Sequence, residues 1–146
     1  MRTHNLDNPT FVLLLSIFSI FINIISSIYF FPILFLGVLF ISFVICLKRR
    51  HNYSLFFIII TFCFIEINNG FKIFSLSLLS TFVYLFIAPY IKRTLSFNNL
   101  NPYIYISVFY LGVYIMWLLN NDLSSQLNYT LLINIVIDFF IFGVFI

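Results

Sequence analysis

The chain has 146 residues, 63% of them hydrophobic and 8% charged, with a formal net charge of +3 and a mean hydropathy of +1.15. A soluble domain carries about 25% charged residues, so these proportions exclude a globule dissolved in water. In lipid only a helix bundle or a closed barrel satisfies every backbone polar group, and barrel strands alternate apolar with polar residues. Runs such as Phe56 to Ile60 are apolar at every position, which leaves a single all-α transmembrane domain over residues 1–146.

Taken in chain order, the charges mark the spans. No charged residue falls between Asp7 and Lys48, an interval of 40 residues. At ~1.5 Å per residue that is about 60 Å of helix, or two crossings of a ~30 Å hydrocarbon core. The break falls at Ser26-Ser27-Ile28-Tyr29-Phe30-Phe31-Pro32, since proline is tolerated in a first helical turn and aromatic residues favour the interface. Helix 1 is therefore predicted over residues 11–25 and helix 2 over 31–47, ended by Lys48-Arg49-Arg50-His51. Helix 3 follows at 53–67, short enough for a re-entrant segment to be its alternative. Gly70 suits a tight turn into helix 4 at 71–91, which Lys92-Arg93 closes. The loop Ser96 to Pro102 leads to helix 5 at 103–119, with Trp117 near its end. Asn120-Asn121-Asp122 lead to helix 6 at 127–146. The result is a six-helix bundle.

Orientation follows from lysine and arginine. With six spans, Arg2, Lys48, Arg49, Arg50, Lys92 and Arg93 share one side and Lys72 is alone on the other. The positive-inside rule then places both termini in the cytoplasm. The net positive charge belongs to these flanks, which can touch anionic lipid, and does not argue for nucleic acid. Cys46 and Cys63 fall inside helices and read as packing residues, while His4 and His51 have no partner at ligand spacing. No metal or cofactor is expected. The apolar N-terminal stretch lacks the small-residue cleavage site of a signal peptide.

Polar residues at membrane depth are costly and are functional candidates by default. Glu66 lies near the outer end of helix 3, and Lys72 opens helix 4 beyond Asn68-Asn69-Gly70. The pair reads either as a functional site or as a local ion pair pinning the hairpin. Gly70 is expected to take a positive φ angle or to admit a close backbone, and to tolerate valine less well than Gly112. Ser77, Thr81 and Tyr84, at i, i+4 and i+7, suggest a close helix–helix contact. Asp138 stands near the middle of helix 6, with Asn134 one turn before it. An ion or proton site, an interhelical hydrogen-bonding node and a shallower last span all fit. The node is the expectation, with an uncharged carboxyl group bonded across to helix 4 or helix 5.

The order of these features resembles the MreD family, the rod shape-determining membrane proteins of bacteria. The resemblance rests on Pro32 opening helix 2, the basic loop Lys48-Arg49-Arg50-His51, Glu66 with Gly70 four residues on, and Asn134 in the last helix. Departures are Glu66 where the family usually has Asp, Phe74 where a second glycine is frequent, and Asp138 where a proline often follows the asparagine. The resemblance implies a multi-pass, non-enzymatic protein of the bacterial inner membrane. It would act as a scaffold of peptidoglycan elongation and cell shape, beside MreC-like and MreB-like partners. Two other classes stay open. A substrate-binding membrane subunit of a vitamin importer needs an outward cavity, to which Asn23, Glu66, Asn69, Tyr110 and Tyr114 could contribute. A small enzyme acting on a lipid-linked substrate needs a polar cluster, for which the outer face offers Glu66, Lys72 and Asp122.

Overall fold

The computed structural model describes residues 8–28, 33–94, 101–120 and 125–145. Every regular element among them is helical, in the order α1 (Pro9–Ile28), α2 (Leu36–Arg49), α3 (Asn52–Asn69), α4 (75–94), α5 (Asn101–Asn120) and α6 (Ser125–Phe145). Pro9–Ile28, Asn52–Asn69 and Pro102–Leu119 are long and apolar enough to cross a membrane, and Ser75–Ile91 and Tyr129–Val144 are shorter apolar helices. Arg2, His4, Pro32, the loop residues 96–100, Asn121 and Asp122 lie outside the described residues.

The bundle is inverted relative to a soluble protein. Leu14, Phe18, Phe56, Leu78, Phe86 and Val136 are each more than half exposed, whereas Asn23, Ser42, Thr61, Glu66, Asn134 and Asp138 are completely buried. An apolar exterior of this extent fits a hydrocarbon solvent. Inside, Ser16, Ser42, Thr61 and Ser80 each donate to the carbonyl four residues back. Hydroxyl groups can be buried cheaply in that way.

At the centre stands α2, which touches each of the other five helices. Ten of its 14 residues are buried, so the others form a cage around it. Phe40 stacks on Phe109 of α5 at 4.5 Å, and Phe62 of α3 lies between Phe109 and Phe43. The parallel neighbours α1 and α3 are tied at both ends, by Ser54 Oγ donating to the Pro9 carbonyl at 3.2 Å and Asn68 Nδ2 donating to Asn23 Oδ1 at 2.7 Å. The Tyr105 hydroxyl donates to the Ala88 carbonyl at 3.5 Å, Lys48 shares a cavity with Ala88 and Pro89, and Tyr103 packs edge-on against Phe142. These contacts gather the start of α1, the α2–α3 junction, the end of α4, the start of α5 and the end of α6 at one end. Lys48, Arg49, Arg50 and Arg93 belong to that end. Lys72 lies at the opposite end, where Phe71 meets Trp117 at 4.7 Å.

Several boundaries differ from those expected. The first helix begins at Pro9 because Asn8 caps it, accepting from Thr10 N–H at 3.2 Å and Thr10 Oγ1 at 2.7 Å. Asparagine followed by proline is a helix-start pairing, and the helix continues to Ile28. α2 starts at Leu36, not residue 31, after Phe35 in the left-handed region at φ 49°. Likewise the fourth helix starts at Ser75 after Phe74 at φ 67°, so Lys72 is an exposed turn residue and does not open the helix. Thr81 faces outward, and Ser77 and Thr81 bond to carbonyls of their own segment. The fully buried hydroxyl of this helix is Ser80, and of the three residues expected at a close contact Tyr84 packs against the core while Thr81 does not. Within α4, Val83–Ile87 makes a π-helical turn, and Ala88 N–H donates to the Val83 carbonyl five residues back. Pro89 has no N–H for the usual ladder, and the wider turn lets the helix resume to Thr94.

Gly70 has φ +75°, with open space around it. Its N–H and that of Phe71 both turn back to the Glu66 carbonyl, closing α3. A Cβ at Gly112 would lie 2.7 Å from Leu79 Cδ1 and 3.4 Å from its Cγ, so that flexible, half-buried side chain has to shift. Gly70→Val and Gly112→Val should therefore both lower thermal stability in detergent, by different routes. Gly70→Val carries the left-handed penalty of about 1–2 kcal/mol, and Gly70→Asn should regain most of it. Gly112→Val should instead be rescued by Leu79→Ala, and a rescue of Gly70→Val by Leu79→Ala would contradict this assignment.

Candidate functional site

Two carboxylates, one on α3 and one on α6, each leave their own helix to cap another. The first four N–H groups of a helix have no partner within it. At the start of α4, Glu66 Oε2 accepts from Phe74 N–H at 2.7 Å, while Oε1 accepts from Leu76 N–H and from the Ser75 hydroxyl at 3.3 Å. Both carboxylate oxygens are engaged. Among the described residues no ion pair joins Glu66 to Lys72, and the hairpin is held by a cap.

The second cap lies deeper. Asp138 Oδ2 accepts from Gly37 N–H at 2.7 Å and from the Tyr110 hydroxyl at 2.5 Å. One turn earlier on α6, Asn134 Oδ1 accepts from Leu34 N–H at 2.8 Å, and its Nδ2 donates to the Thr130 carbonyl. Asp138 Oδ1 is buried without a hydrogen-bond partner among the described residues. The approach depends on Gly37, where a Cβ would sit 2.8 Å from Asp138 Oδ2 and 2.6 Å from Ile106 Cγ2. Only glycine lets the carboxylate this near the backbone.

Just before α2, the chain is held from the other side. Ile33 N–H donates to Ser26 Oγ at 2.9 Å, and Asn23 Nδ2 donates to the Ile33 carbonyl at 3.2 Å. Asn23 also receives Asn68, so α1, α3, α5 and α6 all send a polar side chain to the start of α2 or to the residues holding it. The expected node at Asp138 is present, and its helix-5 partner is Tyr110. The partner that sequence did not indicate is the α2 backbone, because hydropathy carries no information about a helix starting inside the bundle. Gly37 and Asn68 were missed for the same reason. A signal for Gly37 did exist: it is one of only four glycines in the chain, set in an unbroken apolar run.

Of the remaining candidates, Asn69 donates to Ile65 of its own helix at 2.8 Å, and Tyr114 packs against the core. Asn23, Glu66 and Tyr110 are in place, but each is engaged in capping or tethering. An apolar groove of about 700 Å³ runs between α1 and the pair α2 and α6, with Phe11, Phe18, Phe35 and Ile141 in its walls. A smaller cavity of about 250 Å³ opens at the basic end, by Lys48, Tyr84 and Tyr105. Neither is lined by Asn23, Glu66, Asn69, Tyr110 or Tyr114. No group of three or more metal-binding side chains forms among the described residues. Comparison of the chain with protein-family models, curated proteins and solved structures gives no match.

Replacing Asp138 by asparagine keeps an acceptor for Gly37 and Tyr110, and leucine removes it. A buried donor left bare costs about 1–3 kcal/mol, moderated in membranes to roughly 1 kcal/mol per bond. Asp138→Asn should therefore melt close to the parent, with Asp138→Leu clearly lower. Gly37→Ala should fall below Asp138→Asn, since it displaces the cap and clashes with Ile106. Equal melting of the Asn and Leu variants would remove the cap from its structural role.

Proposed function

We propose that this chain is a six-span protein of the bacterial cytoplasmic membrane with both termini in the cytoplasm. It serves there as a non-enzymatic scaffold of cell-wall elongation and cell shape, resembling MreD and working beside MreC-like and MreB-like partners. One observation supports the reading: three of the positions on which the resemblance rests, Glu66, Gly70 and Asn134, help to build the bundle. Glu66 caps α4, Gly70 makes the left-handed turn, and Asn134 holds the segment leading into α2. The gathering of Lys48, Arg49, Arg50 and Arg93 at one end of the helices supports the topology by the positive-inside rule.

Reporter fusions after Arg50 and after Arg93 should report cytoplasm, and a fusion at Asn121 the outer side. A cytoplasmic signal at Asn121 would overturn the topology. For function, depleting the protein in its own rod-shaped host should round the cells, and affinity purification should bring down a bitopic membrane protein and an actin-like filament protein. Unchanged cell shape together with recovery of an ATP-binding cassette would replace this reading by that of a vitamin importer subunit.

A further inference from the structure

Asp138 differs from the other interior carboxyl group in how its oxygens are used. Both oxygens of Glu66 meet donors, at Phe74, Ser75 and Leu76. At Asp138 the Gly37 N–H and the Tyr110 hydroxyl both fall on Oδ2. Oδ1 is buried with no hydrogen-bond partner among the described residues, and the side chain as a whole is completely buried. The elements around it bring no counter-charge. α6 packs on α2 and α5, and its own other titratable group, Tyr129, is exposed. On α5 the titratable groups are the phenols of Tyr103, Tyr105, Tyr110 and Tyr114, of which Tyr110 reaches the carboxyl group. On α2 the run from Leu36 to Leu47 holds only the Cys46 thiol, and Lys48 follows Gly37 at about 16 Å along the helix axis. α1, across the apolar groove, has no titratable residue between Pro9 and Ile28.

We infer that Asp138 is an internal proton-binding site, a carboxyl group that is neutral at physiological pH and carries its proton on Oδ1. An ionised carboxylate buried without a counter-charge is strongly disfavoured. The two donors and the positive end of α2 offset part of that cost, but both donors address one oxygen. A bare hydroxyl costs less than a bare charged oxygen, so the proton belongs where no donor reaches. Oδ2 then takes the carbonyl role, accepting two hydrogen bonds, one of them from the single hydroxyl proton of Tyr110. A proton needs one lone pair, whereas a metal cation needs several oxygen ligands. The inference is independent of any role in cell-wall elongation, because it rests on the surroundings of one side chain.

Infrared spectra of the purified full chain test it, recorded in a detergent without ester groups at about pH 7, where free aspartate (~3.9) is ionised. The parent should show the carbonyl stretch of a protonated carboxylic acid, and Asp138→Asn, which keeps the cap, should lose it. Labelling aspartate with 13C in the side-chain carboxyl group needs no substitution and should shift the same band to lower wavenumber. Tyr110→Phe removes a donor from Oδ2 and should move the band to higher wavenumber. Loss of a carboxylate stretch in Asp138→Asn, with the acid region unchanged, would show an ionised Asp138 and overturn the inference. A band that the label leaves in place would do the same. A band that Tyr110→Phe leaves in place would overturn the assignment of the proton to Oδ1.

Discussion

A helix that begins away from water leaves its first N–H groups without partners, at a cost of about 1–3 kcal/mol for each one buried bare. Among the described residues two helix starts, those of α2 and α4, take a carboxylate from another helix as their cap. Glu66 of α3 serves α4, and Asp138 of α6 serves α2. The same side chains favour the positive end of the helix dipole they meet. The Asp138 cap also joins two helices about a hundred residues apart in the chain, while the Glu66 cap closes a hairpin of neighbours.

The consequence for α2 is its length. Fourteen residues rise about 21 Å, less than the ~30 Å hydrocarbon core, so a six-span topology needs the non-helical residues that lead into α2 to complete its crossing. α2 can be this short because Asn134, Asp138, Asn23 and Ser26 satisfy the backbone that a further turn of helix would have satisfied. The same logic explains the two phenylalanines at positive φ. Phe35 and Phe74 each precede a capped helix, in a conformation that disfavours any side chain. Such strain persists where surrounding contacts fix the backbone more strongly than the residue resists. The hydrogen bonds around Leu34, Gly37, Phe74 and Leu76 provide that fixation.

Much of this was legible in the sequence. The all-helical class followed from composition, which excludes a surface solvated by water, together with unbroken apolar runs such as Phe56 to Ile60, which an alternating barrel strand would not carry. Positions of the fifth and sixth helices fall within two residues of those expected, since hydropathy and flanking polar residues agree there. Glu66 and Asp138 were identifiable as residues of consequence from the cost of placing a carboxylate in lipid. Their partners were not identifiable. A backbone N–H leaves no mark in the sequence, and the nearest cation, Lys72, offered a simpler partner for Glu66 than the amides of Phe74 and Leu76. The start of α2 was misplaced because proline at residue 32 is an ordinary helix-start signal, while the determinant at Leu36 is supplied about a hundred residues later in the chain. The contact of Gly112 was not identifiable either, because its neighbour Leu79 belongs to another helix.

The engagement of these polar groups also bears on where activity can reside. A carboxylate holding a helix terminus cannot move far without releasing buried donors, so Glu66 and Asp138 are poorly suited to large excursions during a transport cycle. Of the five residues an importer cavity would draw on, Asn23, Glu66 and Tyr110 are already committed to the framework. What stays available is the periphery: the lipid-facing helix surfaces, the apolar groove beside α1, and the basic end with its small cavity. Because so many interior polar groups hold helix ends, substitutions on these outer surfaces can be accepted without releasing a buried donor, whereas those at Asn23, Glu66, Asn134 or Asp138 cannot.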